Sequence, residues 1–445
     1  MNNFGILDQV HISDRFDVTR VTMALSFDSL YLLQRHHFKR KRVSIMLDAK
    51  TIAVIKSTVP VLEVHGETIT KTFYQTMFKN HPELLNIFNH ANQRQGKQPT
   101  ALANAVYAAA AHIDRLEDIL PVVKGIGEKH RALGILPEHY PIVGQNLLAS
   151  IKTVLGEAAT DEIIDAWAKA YGVIADVFIS VEAEMYDEAE RQKGGWRGFR
   201  RFIVERKVQE SEVIASFYLK PEDGGELAAY KPGQYITVKV KPEDQRFTHL
   251  RHYSLSAAPG HPYYRISVKR EDAVDGRPAG IVSTYLHEAI REGDILELSA
   301  PAGVFTLDQS KQNPVVLLSG GVGLTPMVSM LETLVNSGSD RDVVFAHAAR
   351  SGKYHAMKEH ISKLAKEDER VKSYVIYERP DEGESCDKTG YIDLPWLQSI
   401  ARPDADFYFC GPQPFMRAVK LALKEWGVPE ERMHYEFFGP AGVLG

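Results

Sequence analysis

The sequence predicts a multi-domain chain: an all-α domain at residues 46–190, a small antiparallel β-barrel at 197–308, and an α/β domain with a parallel sheet at 313–445. Three observations predict it. A length of 445 residues suits about three domains at roughly 100–200 residues each. The hydrophobic period shifts from three or four residues to two near residue 200, and later to short apolar runs alternating with helical stretches. A glycine-rich loop directly follows one of those runs, at 315–318. Composition agrees: 44% hydrophobic and 25% charged residues exclude collagen-like and wholly disordered chains. A net charge of −5 gives no overall basic field for nucleic acid. Cys386 and Cys410 are the two cysteines, too few for a disulfide framework or a four-thiolate zinc site, and suited to a reducing cytoplasm.

Residues 1–45 carry a net +3, ending in the run His36-His37-Phe38-Lys39-Arg40-Lys41-Arg42. This is expected to be a solvated tail, or sequence upstream of a start at Met46, rather than an acidic-lipid or nucleic-acid patch. Residues 21–33 look superficially like a signal-peptide core, but Asp28 interrupts them and the basic run follows rather than precedes. No stretch reaches the roughly 18 consecutive apolar residues of a membrane span. A cytoplasmic location without a transmembrane segment is expected.

From residue 46 to about 190, apolar residues recur at helical spacing, as in Leu102, Val106 and Ala109 or Ile163, Trp167 and Tyr171. Breakers at His81-Pro82, Gly96, Leu136-Pro137, Tyr140-Pro141 and Gly156 divide this region into about six to eight helices. The stretch 191–198, with Gly194, Gly195 and Gly198, reads as a flexible joint. Strands are expected at 202–204, 235–240 and 264–268, the pattern of a barrel. After Asn313-Pro314, strands at 315–318, 343–345, 374–376 and 406–409 alternate with helices, the first of them at 327–335.

Ser319-Gly320-Gly321-Val322-Gly323-Leu324-Thr325-Pro326 stands between the first strand and the first helix of the α/β domain. There glycines let the backbone approach a pyrophosphate, and the free N–H groups of a helix start attract anions. A tight turn is the plain alternative for any glycine cluster; position after a buried strand favours the nucleotide. Thr-Pro replaces the last glycine of G-x-G-x-x-G. With Arg251-His252-Tyr253-Ser254 and Cys410-Gly411-Pro412, this loop resembles the ferredoxin–NADP reductase superfamily. The resemblance implies FAD on the barrel and NADH or NADPH on the α/β domain. Tyr235 and Tyr253 would offer faces or hydroxyls to the flavin, Ser254 a hydrogen bond near its N5, and Arg251 a bidentate contact to pyrophosphate, with His252 beside them. Ser283, in Gly280-Ile281-Val282-Ser283-Thr284, opens a helix suited to the same phosphates. The dinucleotide would meet Gly321, Val322, Gly323, Leu324, Thr325 and Pro326. Nothing identifies the residues at the 2′-position, so the donor stays NAD(P)H.

Among residues 46–190, His65, His81, His90, His112, His130 and His139 are candidate iron ligands, and spacing alone does not choose among them. A lone histidine is more often a surface or satisfied residue. Read as a set, Asn86-Ile87-Phe88, the polar stretch 89–98 and Glu128-Lys129-His130 resemble the globin domain of flavohaemoglobins. The closing Tyr435-Glu436-Phe437-Phe438-Gly439-Pro440 extends the resemblance through the reductase, with FAD or nucleotide contacts implied there. By that resemblance His130 is the proximal ligand of a haem b iron, Phe88 packs on the haem, and Tyr74, Gln98 and Leu102 line the distal side. Tyr140 and Glu182 would support His130, making the imidazole more electron-donating. Lys129 and Glu436 would tune the haem and flavin potentials. Pro99 disfavours the α region for Gln98, which places Gln98 at a helix lip as a mobile distal donor.

The implied activity is that of a nitric oxide dioxygenase, which converts nitric oxide and O2 to nitrate with electrons passing from NAD(P)H through FAD to haem. The partners would be these small molecules and the protein a monomer. Two rival readings are a general NAD(P)H-dependent flavin or ferric reductase, and an O2- or nitric-oxide-sensing haem protein. A sensor should end in a signalling or DNA-reading domain, whereas this sequence ends in a complete reductase pattern.

Overall fold

The computed structural model describes residues 47–88, 96–274 and 276–438. The expectations for residues 1–45 and for Gly439 and Pro440 lie outside the described residues. So does His90.

Six α-helices form the first domain among the described residues: α1 (Ala49–Ser57), α2 (Val59–Asn80), α3 (Lys97–Ala111), α4 (Leu120–Leu133), α5 (His139–Leu155) and α6 (Asp161–Arg191). Their ends follow local chemistry. Asp48 caps α1 by accepting the Thr51 N–H at 2.8 Å, and Thr160 caps α6. Helix α4 stops at Gly134, whose φ of 76° suits the left-handed cap. The inward faces of α1, α2, α5 and α6 bury Ile55, Leu62, Phe73, Met77, Leu147, Ile151 and Trp167 in one core. Gly144 lets α5 approach α6: a Cβ there would stand 2.5 Å from the Tyr171 ring.

The stretch after α6 is not a flexible joint. Trp196 is buried in the barrel core and its indole N–H donates to the Leu298 carbonyl at 3.1 Å. A Cβ on Gly194 would lie 2.6 Å from the Leu227 backbone, and one on Gly195 would overlap the Ala189 carbonyl oxygen. These glycines answer crowding, so the connection is packed.

Strands β1 (Phe199–Gln209), β2 (Ile214–Pro221), β3 (Tyr235–Val240), β4 (His249–Ser254), β5 (Tyr264–Lys269) and β6 (Ile295–Ser299) form an antiparallel sheet in the order β4-β3-β6-β1-β2-β5. A bridge between Leu255 and Ile266 joins its two edges into a barrel around Phe202, Phe217, Ile236, Val238, Val268 and Leu298. Helix α7 (Ile281–Glu288) covers one end.

The last domain is a parallel sheet, β10-β9-β8-β7-β11-β12, built from β7 (Val315–Gly320), β8 (Val343–Ala349), β9 (Val371–Tyr377), β10 (Lys388–Thr389), β11 (Asp406–Cys410) and β12 (Met433–Tyr435). Helices α8 (Leu324–Asn336) and α9 (Lys358–Glu367) pack on one face, α10 (Leu394–Ile400) and α11 (Gln413–Glu425) on the other. Burial on both faces explains the unbroken apolar run of β7. The expected helix at 327–335 begins three residues earlier, because Pro326 is accommodated in its first turn.

Candidate functional site

Helix α4 carries His130 near its C-terminus, where α6 passes behind it. Glu182, on α6 and 3% exposed, accepts two hydrogen bonds on one oxygen, from the Tyr140 hydroxyl at 2.6 Å and from His130 Nδ1 at 2.7 Å. Burial, reinforced by the Glu182 carboxylate, holds the Tyr140 pKa far above that of a free phenol, so its hydroxyl stays a donor. A carboxylate acceptor at Nδ1 fixes the ring proton there and leaves the Nε2 lone pair for a metal. That arrangement fits an iron ligand. His139 Nδ1 accepts the Leu136 N–H, and the carboxylate at His81 Nδ1, that of Glu83 at 3.2 Å, is exposed, so neither ring has the support of a buried carboxylate.

Across the helical domain, Tyr74 of α2 lies in an aromatic group with Phe78 and Phe88, ring centroids 5.3 to 5.8 Å apart. Gln98 occupies the first turn of α3, and its side-chain carbonyl oxygen is buried without a hydrogen-bond partner among the described residues. Leu102, one turn on, packs against the helical core. Helices α2 and α3 meet where the Thr70 hydroxyl donates to the Pro99 carbonyl at 2.9 Å. An orphaned buried acceptor on one helix with aromatic rings on the other fits a pocket that receives a flat, largely apolar group with a polar ligand at its centre.

In the barrel, β3 and β4 pair Tyr235 with Ser254, Ile236 with Tyr253, Thr237 with His252 and Val238 with Arg251. Alternation puts Tyr235, His252 and Ser254 on one face and Arg251 and Tyr253 on the other. The buried Tyr235 ring lies 4.6 Å from that of His252, and its hydroxyl is an orphan among the described residues. His252 Nδ1 is 2.7 Å from the Thr237 hydroxyl, while Arg251 donates to the Leu250 carbonyl. Tyr253 packs against the barrel core. Ser283 differs from expectation. Its hydroxyl donates to the Gly280 carbonyl and accepts the Glu271 N–H, so it holds the start of α7. The hydroxyl left buried without a described partner is its neighbour Thr284.

The glycine loop forms a 3₁₀ turn, Gly321–Gly323, leading into α8. Gly321, at φ 54°, has open space where a Cβ would project, and only it and Val322 are partly exposed. A Cβ on Gly323 would overlap the Cys410 carbonyl oxygen, and one on Gly411 would lie 3.1 Å from Gly320 Cα. The loop and the Cys410-Gly411-Pro412 turn thus rest backbone on backbone. Leu324, Thr325 and Pro326 are buried, and Thr325 donates to the Val322 carbonyl at 3.1 Å, so these three shape the loop and leave its backbone to face a ligand.

The domains meet at α4. On one face of that helix, Arg131 donates to Glu128 at 2.8 Å and to the Pro301 carbonyl at 2.7 Å, while Glu128 accepts the Gly303 N–H at 3.1 Å. Ala132 packs with Tyr235 and Ala302. Lys129 lies 3.9 Å from Glu436, whose carboxyl burial raises while Lys129 opposes the shift. Phe437 packs into the parallel-sheet core and Phe438 is exposed. Asn86, two residues before Phe88 of the aromatic group, accepts the Thr248 N–H at 2.9 Å. The sequence motifs contain Asn86, Glu128 and Thr284 without assigning them a role, and nothing in the sequence singles out Arg131.

Residues 71–178 match the Globin family, 201–307 the Oxidoreductase FAD-binding domain and 317–421 the Oxidoreductase NAD-binding domain. A flavohaemoprotein of Halalkalibacterium halodurans is 57% identical over 403 residues, which cover 89% of this chain and 98% of that one. A flavohaemoglobin from Malassezia yamatoensis, solved with bound FAD and haem, superposes with a TM-score of 0.76 at 27% identity, covering 88% of this chain and 100% of that one. The FAD/NAD-binding domain of a nitric oxide dioxygenase from Vibrio cholerae covers 55% of this chain and 100% of its own length, with 41% identity and a TM-score of 0.51. Three domains in this order, and a relative of that identity aligned over nearly its whole length, make the chain a member of the flavohaemoprotein family.

Proposed function

We propose that the chain is an NAD(P)H-dependent nitric oxide dioxygenase of the cytoplasm, binding haem at 46–190, FAD at 197–308 and the nicotinamide nucleotide at 313–445. The groups would supply the redox chemistry: the nucleotide a hydride, FAD the split into single electrons, and haem iron the site where O2 and nitric oxide meet. The residues set distance, orientation and field. His130 would hold the iron through Nε2, with Glu182 making the ring a stronger donor and Tyr140 fixing its plane. The Tyr74 hydroxyl, with Gln98 as helper, would donate toward negative charge developing on the distal side. Tyr235, His252 and Ser254 would contact the flavin on one face of the barrel, and the Gly321–Gly323 backbone would receive phosphates. Glu128 and Arg131 would hold α4 against the barrel.

One observation carries this reading: the imidazole bonded to a buried carboxylate sits on the same helix that docks on the reductase. A store of oxygen needs neither the electron-rich imidazole nor the reductase contact. The test is consumption of nitric oxide by the purified holoenzyme with O2 and NADH or NADPH, with nitrate as product. Tyr74→Phe should slow consumption at least tenfold with the haem spectrum retained, the order expected for loss of one stabilising donor. His130→Ala should abolish consumption and leave dye reduction by the flavin intact. Absence of enzyme-dependent nitrate rejects the proposal, and unchanged turnover in Tyr74→Phe removes Tyr74 from it.

A further inference from the structure

The sequence leaves the donor as NADH or NADPH, and the end of β8 bears on the choice. In a strand–glycine loop–helix–strand unit, the phosphates sit at the helix start and the adenosine ribose reaches the end of the second strand. An acidic residue there binds the free 2′- and 3′-hydroxyls of NADH, and an arginine accommodates the 2′-phosphate of NADPH. Here β7, the loop, α8 and β8 form that unit, with Gly320 in register with Ala348 on the neighbouring strand. Two residues beyond that pair stands Arg350, solvent-exposed, and no acidic residue occurs between Val343 and Tyr354.

The surroundings leave this cation available. Its guanidinium lies over the Tyr354 ring, 5.3 Å from the centroid and within the roughly 6 Å reach of a cation–π contact. Arg350 forms no ion pair with a described carboxylate, although carboxylates are near, because each has another partner. Asp381 pairs with Lys353 at 3.0 Å, Glu384 accepts the N–H groups of Gly352 and Asp381, and Glu378 pairs with Arg379. The backbone is fixed as well. The Arg350 carbonyl accepts the Arg379 N–H at 2.9 Å, and a 3₁₀ turn, Gly352–Tyr354, places the tyrosine beneath the guanidinium. A planar cation held on an aromatic face, beside a loop built for phosphates, is suited to a phosphate monoester on a ribose.

We propose that Arg350, supported by Tyr354, binds the 2′-phosphate of NADP(H) and makes NADPH a donor for this enzyme. This rests on the reading of residues 313–445 as the nicotinamide-nucleotide domain. The test is calorimetric titration of the holoenzyme with NADP⁺ and with NAD⁺, in the wild type, Arg350→Ala and Arg350→Glu. Arg350→Ala should weaken NADP⁺ binding roughly 10- to 100-fold, the range for one charge-assisted hydrogen bond, with NAD⁺ affinity changed less than about twofold. Arg350→Glu should weaken NADP⁺ further. The ratio of kcat/KM for NADPH over NADH should fall in parallel, while dye reduction with NADH is retained. Equal losses for both nucleotides, or an unchanged NADP⁺ affinity, overturn the assignment of Arg350 and leave the dioxygenase reading standing. A wild type that binds neither nucleotide overturns both.

Discussion

Replacing Arg131 by alanine tests whether the helix that bears His130 is positioned by the flavin barrel. Arg131 is 7% exposed, and one of its nitrogens bonds both Glu128 and the Pro301 carbonyl. Removing one partner of a fully buried pair costs about 3–5 kcal/mol. Glu128 is 19% exposed on its side chain and keeps the Gly303 N–H, so water and one remaining donor compensate part of the loss. A cost of about 2 kcal/mol to the docked arrangement is therefore expected, or roughly thirtyfold in the docked-to-undocked ratio. Haem content is checked first from the Soret band, because His130 is the adjacent residue. Stopped-flow reduction by NADH then separates two rates in one sample, NADH to flavin and flavin to haem, with dye reduction as the control. Haem reduction should slow at least tenfold in Arg131→Ala, and Arg131→Lys should fall between, since it restores charge without the fork. Dye reduction should stay within about twofold. A haem-reduction rate equal to wild type would refute the docking argument; a parallel fall in both rates would show general damage instead.

Three further outcomes follow from the geometry. Glu182→Gln keeps the size of the side chain but removes the charge shared by His130 and Tyr140, and should lower nitric oxide consumption or haem retention about 10- to 100-fold; unaltered haem dissociation and turnover would count against the proximal role. Gly323→Ala must push the loop off the Cys410 carbonyl, so weaker nucleotide binding with flavin retained is expected in a fluorescence titration, and wild-type affinity would contradict it. Glu332 is buried, which opposes its ionisation, but the His360 hydrogen bond, the Arg265 charge and the Ala258 N–H outweigh burial and hold its pKa below 4.5. A depressed folded value stabilises fully above the ordinary value of 4.5 and is lost as pH falls through the folded pKa. Denaturation profiles of the wild type should therefore weaken below that pH, and Glu332→Gln should lack that part of the slope while losing about 3 kcal/mol at pH 7; superimposable profiles would exclude this contribution.

Much of the fold was legible because periodicity records which face of an element is buried. Ile163, Trp167 and Tyr171 announce the long helix α6, and the apolar run at 315–318 announces a strand covered on both faces. The glycine loop was legible as a loop, but not the division of labour within it. Leu324, Thr325 and Pro326 belong to the motif yet turn inward, and a one-dimensional pattern does not record which atoms of a motif face outward. Ser283 and Thr284 show the same limit: two adjacent hydroxyls read alike, and only the Gly280 and Glu271 backbone separates the engaged one from the orphan.

The glycines at 194 and 195 were misread for a related reason. Glycine serves both a free hinge and a crowded backbone, and the two differ only in what stands nearby, here Leu227 and Ala189. Contacts between domains are harder still. Arg131 and Pro301 are 170 residues apart, and nothing in the local pattern of either foretells the other. Yet they decide how the parts act together. On α4, His130 turns toward Glu182 and Tyr140, while Glu128, Arg131 and Ala132, spaced three and four residues apart, turn toward the barrel at Pro301, Gly303 and Tyr235. A helix of this kind cannot shift at one face without shifting at the other, so the support of the His130 imidazole and the contact with the barrel at Pro301 and Tyr235 are set by the same rigid element. Weakening the barrel contact should then alter the His130–Glu182 hydrogen bond as well, and loosening that hydrogen bond should weaken docking in turn, because coupling through one rigid element is reciprocal.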